Sequence, residues 1–152
     1  MIFIVTLFNI VFQMFIQRKI QARLKEALSK FPVVVLLGPR QVGKTTNSKK
    51  VEFFNKKDFL YLDLENIDDK EKLTDASHFL TAYKNRCVVI DEVQIMPQLY
   101  SALRPLVDEH RVSSRFLLLG SASPKLIKGV SESLAGRVVY LEQTPISLFE
   151  AS

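Results

Sequence analysis

Apolar positions along this chain fall into two alternating patterns. Ile16, Ile20, Leu24 and Leu28 recur every four residues, with Gln17, Arg18, Lys25 and Glu26 between them, which predicts an amphipathic helix. Pro32 blocks its continuation, because a proline pushes the residue before it out of the α region. Val33 to Leu37 is then wholly apolar and ends at a glycine. A run that short and that continuous predicts a parallel strand buried on both faces. The alternation repeats. Helix is expected from Lys44 to about Asn55, strand over Phe59 to Leu64, mostly helix over Asp68 to Lys84, and strand over Cys87 to Ile90. A helix led by Pro97 runs to about His110, with Leu99, Leu103, Leu106 and Val107 on one face. Arg115 to Leu119 and Val138 to Leu141 are the last strands. Strands alternating with helices imply βαβ units, hence an α/β fold of three layers around a five-stranded, mainly parallel sheet.

The apolar stretch from Met1 to Ile16 is broken only by Thr6, Asn9 and Gln13. It has no basic leader or small-residue cleavage site, so it does not read as a secretory signal, and it is short of the roughly 20 residues of a membrane span. An extension foreign to the domain, a short membrane-associating helix over residues 1–16 and a packed helix extension all remain open. Residues 1–15 are therefore set apart as an extension, the domain is taken as 16–152, and its natural start is expected at or near Met14. The cations that follow (Arg18, Lys19, Arg23, Lys25) would hold the rest on the cytoplasmic side.

The net charge of +5 is uneven: residues 1–60 hold eleven Lys and Arg against three acids, and the remainder holds ten against thirteen. A basic half suits nucleic acid or an anionic membrane; solvated helix faces plus phosphate-binding residues account for the same charge. The single cysteine, Cys87, excludes an internal disulfide and reads as a buried thiol.

Candidate chemistry is concentrated where strands end. Gly38, Pro39, Arg40, Gln41, Val42, Gly43, Lys44 and Thr45 spell G-x-x-x-x-G-K-T, followed by Thr46. By average residue usage this arises by chance in roughly one chain of this length in a few hundred. A strand before and a helix after complete the P-loop context. The glycines let successive N–H groups turn inward as an anion nest, Lys44 bridges the β- and γ-phosphates, and the Thr45 hydroxyl ligates Mg²⁺. About fifty residues later, Val88 to Ile90 deliver Asp91 and Glu92 to a strand end. Asp91 suits the magnesium site through a water, and Glu92 suits activation of the attacking water. Ser121, with Ser123 as the second choice, follows the next strand and could bond the γ-phosphate or that water; a plain turn is the alternative. Gly136 then sets a sharp turn ahead of Arg137.

With Phe31-Pro32, Tyr61 to Leu64, Val89 to Gln94, Arg115 to Ser123, Gly129 to Arg137 and Pro145 to Glu150, this series resembles the AAA-like P-loop ATPases whose AAA domain precedes a C-terminal domain of unassigned function. The resemblance covers about Ile16 to Glu150. It implies an AAA-type topology with the P-loop strand central, ATP and Mg²⁺ as ligands, a homo-oligomer, and Arg137 facing a neighbouring subunit's nucleotide. Two departures stand out. Polar Asn47 to Lys50 occupy the usually apolar P-loop helix, and the chain stops at Ser152 where the second domain would begin. The expected function is hydrolysis of Mg-ATP in the cytoplasm, coupled to an unread substrate. A nucleotide-binding or interaction module without turnover is the alternative, and a small-molecule kinase is a third reading that lacks a visible acceptor site.

Overall fold

In the computed structural model the described residues are 20–39 and 58–143. The element order is helix α1 (20–30), β1 (Val33–Leu37), β2 (Phe59–Asp63), α2 (Ile67–Lys72), α3 (Ala76–Thr81), β3 (Cys87–Asp91), a 3₁₀ turn (Val93–Ile95), α4 (Leu99–Glu109), β4 (Phe116–Gly120), α5 (Pro124–Ser133) and β5 (Val138–Glu142). The five strands form one sheet in the order β2-β3-β4-β1-β5, and every adjacent pair is parallel. The expected helix from Lys44 to Asn55, the apolar extension and the stretch Pro145 to Glu150 lie outside the described residues.

The two-residue period of a strand sorts the core into two layers. Val33, Val35, Leu37, Val88, Ile90, Phe116 and Leu118 face Leu73, Leu80, Leu99, Leu103, Leu126 and Val130 from α2 to α5 and the turns beside them. Val34, Leu36, Cys87, Val89, Leu117 and Leu119 face the other way, onto Ile20, Leu24, Ala27 and Leu28 of α1. Both faces are covered, which is why β1, β3 and β4 are buried at all five positions. Each such leucine or valine stabilises the fold by about 1.5–3 kcal/mol relative to exposure. Cys87 is a buried thiol within the second layer.

Three expectations need correction, while the mostly helical stretch 68–84 consists of two short helices: Asn66 caps α2 by accepting the Asp68 N–H and Asp75 caps α3 by accepting the His78 N–H. The second cap restarts the chain after a turn at Leu73 to Asp75. The strand expected from Arg115 begins at Phe116: Arg115 turns under α3, and its guanidinium donates to the carbonyls of Leu80 (3.1 Å) and Tyr83 (3.2 Å). The P-loop strand β1 is interior but off-centre; β4 occupies the middle of the sheet. Finally, the helix led by Pro97 starts at Leu99, after the 3₁₀ turn, and carries Pro105 inside it. That proline is tolerated because the carbonyl it leaves unpaired belongs to Ser101, which is exposed to water.

Candidate functional site

In a parallel sheet every strand ends on the same edge, so the chain emerges there from β1, β3 and β4 side by side. At this edge the Gly38 N–H donates to the Gly120 carbonyl (3.1 Å), and the Gln143 N–H donates to the Leu37 carbonyl (2.7 Å). The start of the glycine loop is thus stitched to the ends of both neighbouring strands. Of the loop itself, Gly38 and Pro39 are described; Arg40, Gln41, Val42, Gly43, Lys44, Thr45 and Thr46 lie outside the described residues.

β3 brings Asp91 to this edge at 6% exposure. A carboxylate so buried needs donors, and among the described residues it has two. The Tyr61 hydroxyl, reaching from β2, donates to Oδ2 at 2.6 Å, and the Glu92 N–H donates to Oδ1 at 2.8 Å. Each oxygen keeps a second lone pair, so the group is oriented while still able to accept from water. Among the described residues no three His, Cys, Asp or Glu are placed to enclose a metal ion. The oriented carboxylate of Asp91 is an oxygen donor of the kind a magnesium ion takes.

Glu92 takes a left-handed backbone conformation (φ 53°, ψ 42°) as the chain breaks from strand into the 3₁₀ turn. For a residue other than glycine this is an uncommon state, and such states concentrate at functional sites. The turn places Gln94 beside it, and the Gln94 amide Nε2 donates to Glu92 Oε2. Tyr100, on α4, holds the turn through a bond from its hydroxyl to the Val93 carbonyl (3.4 Å).

Ser121 leaves the end of β4 next to β3 and lines a cavity of about 530 Å³ with Gln94, Tyr100, Ser123, Lys125 and Leu126. Ser123 is engaged in holding the fold, since its Oγ accepts the Leu126 N–H at 3.2 Å and caps α5. Of the two serines, Ser121 is therefore the one whose hydroxyl is not committed to a helix cap.

Arg137 sits elsewhere. It precedes β5, and its carbonyl accepts the Val33 N–H, which puts it at the amino edge of the sheet. Strand geometry separates that edge from Asp91 by roughly 13 Å along the strands. The turn is set by Gly136 at φ 74°. Two of the guanidinium nitrogens grip Asp108 of α4, Nε at 2.6 Å and Nη2 at 2.9 Å, and Nη1 donates to the Ala135 carbonyl. The hydrogen bond from Arg137 holds the Asp108 carboxyl below its ordinary range and raises the arginine. Asp91, Glu92, Ser121 and Gly38 thus share one edge, and Arg137 is not with them.

Sequence reasoning attaches no role to Tyr61, Gln94 or Asp108. Tyr61 and Gln94 stand in motif stretches, two residues before Asp63 and two after Glu92, so a signal is present without a chemistry attached. Asp108 has none: an acid near a helix end looks like any solvated residue.

Residues 30–152 match the AAA domain family. The chain belongs to that family. Its domain is a nucleotide-binding P-loop NTPase of AAA type, and the parallel sheet accords with that fold. The chain is also 43% identical over 132 residues to two uncharacterized mycobacterial proteins, Mb2031c of Mycobacterium bovis and Rv2008c of Mycobacterium tuberculosis. The match spans 87% of this chain but 29% of the length of either relative, so the AAA domain is one part of those longer proteins. No helix among the described residues is long and apolar enough to cross a membrane.

Proposed function

We propose that this AAA domain binds Mg-ATP on the loop from Gly38 to Thr46 and hydrolyses it to ADP and phosphate. The observation that carries the reading is the placement of Asp91 and Glu92 at the carboxyl edge of the sheet, one strand from Ser121 and two from Gly38, whose N–H is bonded to the end of β4. Bound magnesium would neutralise charge on the β- and γ-phosphates. Lys44 would span the same oxygens, Thr45 would ligate the metal, and Asp91, fixed by Tyr61 and the Glu92 N–H, would hold one of its waters. Glu92 would accept a proton from the attacking water as oxygen bonds to the γ-phosphorus and the bond to the ADP oxygen breaks. Ser121 would donate to the γ-phosphate or to that water. Little covalent chemistry is asked of the protein; positioning and charge supply the rate.

Arg137 enters as a residue for a neighbouring subunit. Its place on the amino edge supports action in trans over action in cis, and a homo-oligomer would bring one chain's amino edge to the next chain's nucleotide. An isolated domain would then bind ATP and turn it over slowly, so the reading without turnover is the limit of the same arrangement. Nucleic acid facing the basic half, and membrane association of residues 1–16, are the partners this charge and hydropathy suit.

The test is Glu92→Gln, which keeps shape and hydrogen bonding but removes the base. Calorimetric titration with Mg-ATP should give wild-type affinity, while phosphate release falls on the order of 10²–10⁴-fold. Equal loss of binding and turnover would reassign Glu92 to metal binding or structure. Repeating the turnover assay with DNA examines the basic half.

A further inference from the structure

We propose that Gln94 is a positioning residue for Glu92, an amide clamp that fixes the carboxylate at the carboxyl edge, beside the β4 end carrying Ser121. This rests on Glu92 acting on the lytic water. Gln94 Nε2 donates to Glu92 Oε2 across the 3₁₀ turn. The other end of the same amide, Oε1, is buried with no hydrogen-bond partner among the described residues. Turning the amide over would face oxygen against carboxylate, so the orientation that donates to Glu92 is kept at the cost of an orphaned acceptor.

The neighbouring strand makes room for it. A Cβ on Gly120 would lie 2.7 Å from Gln94 Oε1 and 2.6 Å from Leu126 Cδ1, so a side chain there would displace the amide. Gly120 precedes Ser121, and Gln94 and Ser121 line the same cavity. The clamp therefore packs beside Gly120, between the two strand ends from which Glu92 and Ser121 depart. Glu92 has an unusual backbone state and a long side chain with several rotamers; a donor two residues away selects among them.

Gln94→Met keeps length and removes the donor. Its kcat should fall about 10- to 100-fold, in line with loss of groups that orient catalytic ligands, with KM and Mg-ATP affinity within about twofold of wild type. In a Glu92→Gln background Gln94→Met should add nothing further. Gly120→Ala should reproduce the kcat loss with Gln94 still present. Independently of turnover, the Gln94 side-chain amide protons of the nucleotide-free ¹⁵N-labelled chain should resonate away from the free-glutamine position and return to it in Glu92→Ala.

Wild-type kcat in Gln94→Met, a full additional loss in the double variant, or an amide resonance indifferent to Glu92→Ala would each overturn the clamp. If Gln94→Met does not fold, the amide spectra of the wild type and Glu92→Ala decide. Failure of the underlying reading has a different signature: Glu92→Gln would then turn over ATP normally, while the amide resonance would still respond to Glu92→Ala.

Discussion

Tyr61→Phe removes one oxygen and tests whether Asp91 is held as the site requires. The tyrosine hydroxyl lies 2.6 Å from Asp91 Oδ2, and the carboxylate is 6% exposed. Hydrogen bonds to charged groups contribute about 1.5–3 kcal/mol, since loss leaves a desolvated acceptor unmet. Tyr61 is itself half-buried, so water can reach part of the gap and the lower end of that range applies. For a chain of 152 residues, about 1.5 kcal/mol corresponds to a fall in Tm of roughly 3–6 °C. The ring is retained, so no cavity opens in the layer around Val89 and Leu117. Asp91 also loses one of two groups that aim it; magnesium-dependent ATP affinity should drop about tenfold, the lower end for an orienting partner because the ligand acts through water. Thermal denaturation and titration of Mg-ATP measure the two effects. In an Asp91→Asn background the thermal cost should shrink, because the charge that made the bond strong is gone. Unchanged Tm together with unchanged affinity would refute the idea that Tyr61 secures Asp91.

Three further outcomes are expected. Arg115 is 1% exposed; burial pushes its guanidinium below the ordinary arginine range, and its Nε has no partner among the described residues. The carbonyls it bonds also accept from Tyr83 N–H and Arg86 N–H, so Arg115→Met should change stability by less than about 1 kcal/mol, while Arg115→Ala opens a cavity and should cost on the order of 3 kcal/mol by denaturant unfolding. Because Arg137 lowers the Asp108 carboxyl, that pair contributes stability at pH above the unfolded carboxylate value and loses it as pH falls through the lower folded value; carbon-detected titration should find Asp108 still ionised where ordinary aspartates have protonated, and Arg137→Ala should shrink the difference, Arg104 and Arg111 keeping a smaller part of it. Mixing Arg137→Ala with Lys44→Ala should restore ATP turnover if the arginine serves a neighbour's site, and specific activity independent of concentration with no rescue would rule that out.

Much of this protein was legible in one dimension because short-range rules decide it. The buried strands are runs that no other element accommodates, Pro32 ends α1, and Gly136 sits at the positive φ expected of a sharp turn before Arg137. The order of apolar runs and the residues at their ends named Asp91, Glu92 and Ser121 as neighbours in waiting, since parallel strands must all end on one edge. What pattern could not supply was lateral order and side-chain partnership. That β4 rather than β1 lies mid-sheet follows from which helices cover which face, a sum over the whole core that no window of sequence contains. Likewise Tyr61 meets Asp91 from thirty residues away, and Arg137 is held by Asp108 on the far edge. Those pairings depend on distances of a few ångströms between segments remote in sequence, and only the packed fold brings such segments together.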